Sequence, residues 1–135
     1  MMSAYEILKK KLLAESETWL VTGAAGFIGC NLSAHLLERG ASVVGFDNFM
    51  TGKHENIDRL LAGYPEGFSF IKGDILNPNE ICEAAAGCEN AVHLAAQVSV
   101  QRSVDDMVET NAINVDGFLN TYDAALKAGA KRFIY

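Results

Sequence analysis

VTGAAGFIG, residues 21–29, places Gly23, Gly26 and Gly29 three residues apart, immediately after the apolar run Trp19-Leu20-Val21. The apolar run reads as a buried strand, and GFIGCNLSAHLLERG (26–40) as a helix closed by Gly40. Three absent side chains at a strand-to-helix corner have three separate uses. The first permits the tight turn, the second lets another group approach the main chain, and the third lets the helix pack closely on the strand. The triplet alone also fits a plain tight corner, so the surrounding residues carry the decision.

Those residues repeat one pattern. SVVGF (42–46), FSFIKGD (68–74), NAVHLAA (90–96) and KRFIY (131–135) read as further strands, the first of them β-branched and free of charge, as expected when both sheet faces are covered. Helices are predicted between them at HENIDRLLAG (54–63), at NPNEICEAAAG (77–87), and over 104–128, ended by Gly129. Asn77 is placed to cap, Pro78 to start the first turn, and Glu80 stands three after the cap. In the 26–40 helix, Phe27, Leu32, Leu36 and Leu37 form the apolar stripe. Strands alternating with helices make right-handed βαβ units and a doubly wound parallel sheet, an α/β fold. Tyr135 stands inside the fifth strand, so the chain reads as the front portion of a longer polypeptide, cut after the start of that strand.

MMSAYEILKKKLLAESE opens the chain with Tyr5, Leu8 and Leu12 at helical spacing. Residues 1–16 are expected to form a short amphipathic helix against the domain or a second subunit, and 17–135 one domain. Half of the residues are apolar, which excludes a disordered chain. A net charge of −6 argues against a nucleic-acid partner. No stretch reads as a signal peptide or membrane span. Cys30, Cys82 and Cys88 form no C-x-x-C pair and read as reduced thiols of a cytoplasmic protein.

The glycine spacing differs from the dinucleotide fingerprint G-x-G-x-x-G by one residue, and the physics is shared. A pyrophosphate would lie on bare main chain at a helix N-terminus, where free N–H groups and a partial positive charge face it. Asp47 ends the second strand, 18 residues beyond Gly29, where a carboxylate accepts from both ribose hydroxyls or, alternatively, merely shapes a turn. It would repel a 2′-phosphate and no arginine follows it in DNFMTGK (47–53), so NAD is favoured over NADP. Asp74 closes the third strand, with Ile75 beside it to flank an adenine, or else forms an Asp turn before Asn77. Ala95 and Ala96 are small enough for a cofactor to lie along the chain. His93 reads as a core imidazole, and no metal-ligand spacing occurs.

TGAAGFIG, DNFMTG, GDI, HLAAQVSVQRS and NVDGFLNTYDAA together resemble the extended short-chain dehydrogenase/reductase family, and most closely its nucleotide-sugar 4-epimerases. The resemblance implies a Rossmann domain that keeps NAD bound, in an isomerase acting on a UDP-hexose or UDP-N-acetylhexosamine. Hydride is removed from C4 and returned to its other face through a 4-keto intermediate. It places Gly23, Gly26, Phe27, Ile28 and Gly29 on the pyrophosphate, and Asp47, Asn48, Thr51 and Gly52 around the adenosine ribose. Asp74 and Ile75 meet the adenine, Leu94, Ala95, Ala96 and Gln97 run beside the cofactor, and Ser99 touches the sugar nucleotide. Val98 and Ile113 depart from the pattern, at places relatives give to glycine and to a polar residue. The family's base is a tyrosine with a lysine four residues on, held after the fifth strand; Tyr5–Lys9 has that spacing but precedes the first strand, so no catalytic residue is assigned here. A dehydratase or decarboxylase on the same scaffold, or a non-catalytic NAD-binding fragment, is the alternative. Homodimers are common in the family.

Overall fold

The computed structural model describes residues 2–14 and 17–135. After α1 (Ala4–Ala14), five strands alternate with helices: β1 (Thr18–Thr22), α2 (Phe27–Glu38), β2 (Ser42–Asp47), α3 (His54–Gly63), β3 (Phe68–Lys72), α4 (Pro78–Ala85) and β4 (Asn90–His93). There follow α5 (Val100–Asp105), α6 (Met107–Asn111), a π-helical turn (Ala112–Asp116), α7 (Gly117–Lys127) and β5 (Arg132–Ile134). All neighbouring strands pair in parallel, in the order β3-β2-β1-β4-β5. This is the doubly wound sheet that the alternation of elements predicts.

Successive residues of a strand point to opposite faces, and in β1 both faces are covered. Leu20 joins Phe46, Ile81, Ala91 and Ala124 in the core on the α4 and α7 side. Val21 joins Val43, Ile57, Leu60 and Phe68 on the α2 and α3 side. At the N-terminal ends of the strands, buried Asn90 donates to Glu17 Oε2 at 2.9 Å. Arg132 in turn donates to Asn90 Oδ1 at 3.0 Å and to both Glu17 oxygens, pinning β5 beside β4 at the end of the sheet away from the glycine turn.

Four expectations are corrected. The buried face of α2 is Gly29, Cys30, Ser33 and Leu37, and Phe27 is 84% exposed. A helix this close to the sheet admits small side chains on its inner face, so the phenylalanine is turned outward. The single helix over 104–128 is interrupted at Asp106, whose φ of −137° and ψ of 82° leave the helical region. Its carboxylate accepts from Glu109 N at 2.9 Å and starts α6 afresh. On α1, Tyr5 and Leu8 are 65% and 55% exposed, so of the two expected packings the one against the domain is not formed by them. The Leu12 side chain lies outside the described residues. Glu80 also works differently from a capping box, accepting from Asn77 Nδ2 at 2.9 Å and from Asp74 N at 2.8 Å.

Candidate dinucleotide site

A cavity of about 410 Å³ opens at the carboxyl ends of the strands, beside the point where the strand order reverses between β1 and β4. Open α/β sheets bind ligands at that crevice. Gly23 turns the chain out of β1 with φ of +71°, and a Cβ there would lie 2.9 Å from Leu94 C and Ala95 N. Gly26 is extended and caps α2 without any side-chain hydrogen bond, so the first amides of the helix remain available to a ligand. Gly29 touches the turn itself: an added Cβ would come within 2.8 Å of Gly23 C and 2.9 Å of Ala24 Cα. Gly23 and Gly29 therefore have the turn and the close-packing uses that their spacing suggested.

Asp47 holds this turn in place. Its Oδ2 accepts from Ala25 N at 3.0 Å, and its Oδ1 from Phe49 N at 2.7 Å. The second bond bends the chain sharply enough to put Phe49 at φ of 62°, a left-handed conformation made tolerable by its stacking on His54 at 3.8 Å. Asn48 joins the two acidic corners, accepting from Met50 N at 2.9 Å and donating to Asp74 Oδ2 at 3.3 Å. Asp74 Oδ1 accepts from Leu76 N at 2.9 Å, so Asp74 forms the Asp turn and lines the cavity as well.

Of the sequence-derived residues, Gly23, Gly26, Phe27, Ile28, Gly29, Asp47, Asn48, Thr51, Asp74, Ile75, Leu94, Ala95 and Ala96 line the cavity. Gly52, Gln97 and Ser99 do not. Gly52 lets its loop pass over Ala25, since a Cβ would meet Ala25 Cβ at 2.5 Å. Gln97 is buried, and its Oε1 accepts from Ser99 N at 3.0 Å, while Ser99 Oγ caps α5 through Arg102 N. Val98 and Ile113, the two departures, both line the cavity. Phe46, Met50 and Gly73 line it without having been anticipated. Gly73 carried a readable signal, a glycine between strand and acid, because a Cβ there would lie 2.6 Å from the Phe46 ring. None of the four tyrosines lines the cavity. Among the described residues no cluster of three metal-binding side chains occurs.

Under the cavity, Thr22 Oγ1 accepts from Leu94 N at 3.2 Å and Ala95 N at 3.3 Å. Its own hydrogen is thereby left for His93 Nδ1 at 2.9 Å, which assigns the imidazole proton to Nε2. Burial pushes His93 down from 6.5 to about 4. The unfolded chain then binds a proton that the folded chain refuses between those values, so stability falls as pH drops through that window. Wild type is expected to lose about 2 kcal/mol more than His93→Phe between pH 7 and pH 5. Urea unfolding of both proteins at the two pH values measures it, and equal losses would contradict the burial of a neutral imidazole.

Residues 19–135 match the NAD dependent epimerase/dehydratase family. The chain belongs to that family. It is 40% identical over 117 residues to UDP-glucose 4-epimerase of Mycolicibacterium smegmatis, covering 86% of this chain and 37% of that protein. The structure of epimerase Mth375 from Methanothermobacter thermautotrophicus superposes with a TM-score of 0.84 and 30% identity, over 98% of this chain and 39% of that one. The UDP-glucose 4-epimerase of Thermus thermophilus in complex with NAD gives 0.75 and 34%, over 87% of this chain and 36% of that one. The chain thus spans well under half the length of these family members. No described helix is long and apolar enough to cross a membrane.

Proposed function

We propose that these residues are the NAD-binding part of a nucleotide-sugar 4-epimerase acting on a UDP-hexose or UDP-N-acetylhexosamine. The observation that carries the reading is that the uncapped start of α2 and the Asp47 carboxylate face one cavity. The residues fit the cofactor: bare main chain at Gly26 and the first amides of α2 for the diphosphate, Asp47 for the adenosine ribose, and Asp74 with Ile75 for the adenine. Bound NAD supplies an acceptor and donor of hydride. Asp47 presents its carboxylate already oriented by two main-chain N–H groups, so little ordering cost remains when a ribose arrives. Ala95 and Ala96 keep the wall of the cavity low where the cofactor passes.

In this reading the base that takes the sugar hydroxyl proton is none of the chain's four tyrosines, as none of them lines the cavity. A dehydratase or decarboxylase is the second reading, favoured by the range of activities among the proteins this chain resembles. The test is to incubate the natural full-length protein with UDP-glucose, UDP-N-acetylglucosamine and a UDP-uronic acid and follow the sugars by NMR. Interconversion of C4 epimers without net reduction of NAD is expected. A dehydrated or decarboxylated sugar would install the second reading, and no turnover of any nucleotide sugar would remove both.

A further inference from the structure

The sheet order sets β1 between β2 and β4, so the loops that follow β2 and β4 stand on either side of the glycine turn after β1. Two side chains meet from opposite sides of that turn, Met50 from the first loop and Gln97 from the second. Met50 Sδ accepts from Gln97 Nε2 at 4.0 Å. The carboxamide has a fixed direction, because Gln97 is 6% exposed and its Oε1 accepts from Ser99 N at 3.0 Å. Its NH₂ group is thereby turned toward Met50.

The backbone under Met50 is held while its side chain keeps its rotations. Met50 N donates to Asn48 Oδ1 at 2.9 Å, and Lys53 N, at the far end of the loop, donates to Ala25 O at 3.0 Å. The left-handed Phe49 divides the loop between two jobs. Its own ring packs on Phe70 and His54, against the core on the α2 and α3 side. The next residue, Met50, lines the cavity instead and is 43% exposed. An unbranched thioether turns about three bonds and is a weak acceptor, so leaving Gln97 costs little. A methionine placed in this way opens to admit a ligand and settles back over it. What it settles over is the space between the Asp47 carboxylate and the start of α2, both of which line the same cavity.

We propose that Met50 is a cover for the bound cofactor, closing over the stretch of dinucleotide between Asp47 and the glycine turn and slowing its release. The inference rests on the NAD reading above and adds a residue that sets how long the cofactor stays. The test measures NAD association and dissociation by stopped flow in the full-length protein, for wild type, Met50→Ala and Met50→Leu. Met50→Ala is expected to release NAD about tenfold faster, while association changes by less than about twofold. Met50→Leu keeps the bulk and loses only the weak acceptor, so its release should stay within about threefold of wild type. The ratio of NAD to NADP affinity should be unchanged in both variants, whereas a general loosening of the Asp47 loop would lower it. Wild type with methyl-labelled methionine carries the test where the alanine fails to fold. Its Met50 methyl should show a nuclear Overhauser contact with the Gln97 carboxamide protons, and its resonance should shift when NAD is added. Release from Met50→Ala at the wild-type rate, association sped as much as dissociation, a leucine variant as fast as the alanine, or a Met50 methyl unmoved by bound NAD would each overturn the proposal. Wild type that binds no NAD overturns the cofactor reading instead, and the contact with Gln97 alone then decides whether the bridge exists.

Discussion

Gly29→Ala should abolish NAD binding and cost about 3 kcal/mol of stability. Two effects oppose each other at this position. Gly29 lies in the first turn of α2, where alanine is the better helix former by about 1 kcal/mol. The added methyl, however, would lie 2.8 Å from Gly23 C, 2.9 Å from Ala24 Cα and closer still to Gly23 O. All three are main-chain atoms, so no rotamer change relieves the collision, and α2 must lift away from the turn. Sterics therefore win, and the same displacement carries the helix amides away from a bound diphosphate. Gly63→Ala is the control, since a Cβ at Gly63 meets nothing. Urea unfolding and NAD titration of both variants check the claim; a Gly29→Ala protein as stable and as tightly bound to NAD as wild type would contradict it.

Asp47→Asn is expected to weaken NAD about 10- to 100-fold, the loss from a charged acceptor becoming neutral. The ratio of NAD to NADP affinity should fall with it, because the charge that repels a 2′-phosphate is gone. The substitution also turns an NH₂ group toward either Ala25 N or Phe49 N, so one of the two bonds that hold the glycine turn is lost. Stability should fall by about 1–2 kcal/mol for that reason. Titrations with both cofactors give the ratio. A wild-type protein indifferent between NAD and NADP would remove the assignment of Asp47 to the ribose.

The glycines and acids were legible because each encodes a local backbone demand. Gly23 needs a positive φ, Gly29 a close approach, and Asp47 and Asp74 stand at strand ends where loops begin. Phe27 misled because helical spacing counts any apolar residue toward the core, although position 27 begins the helix at the cavity mouth. The break at Asp106 carried no glycine or proline; it comes from an aspartate that caps a new helix inside a charged run. The hydrogen bond from Gln97 N to Asn114 Oδ1, at 2.8 Å, was invisible for another reason. Its two residues lie 17 apart in the chain, and only the folded path of the loop after β4 brings them together.

The central claim is that bare main chain at the start of α2 and the carboxylate of Asp47 hold one dinucleotide between them. Diffraction from crystals of the full-length protein grown with saturating NAD tests it most directly. The account requires the diphosphate against the amides at Phe27 and Ile28, with the adenosine ribose hydroxyls on Asp47. NAD lying elsewhere, or that cavity vacant at saturation, would contradict it.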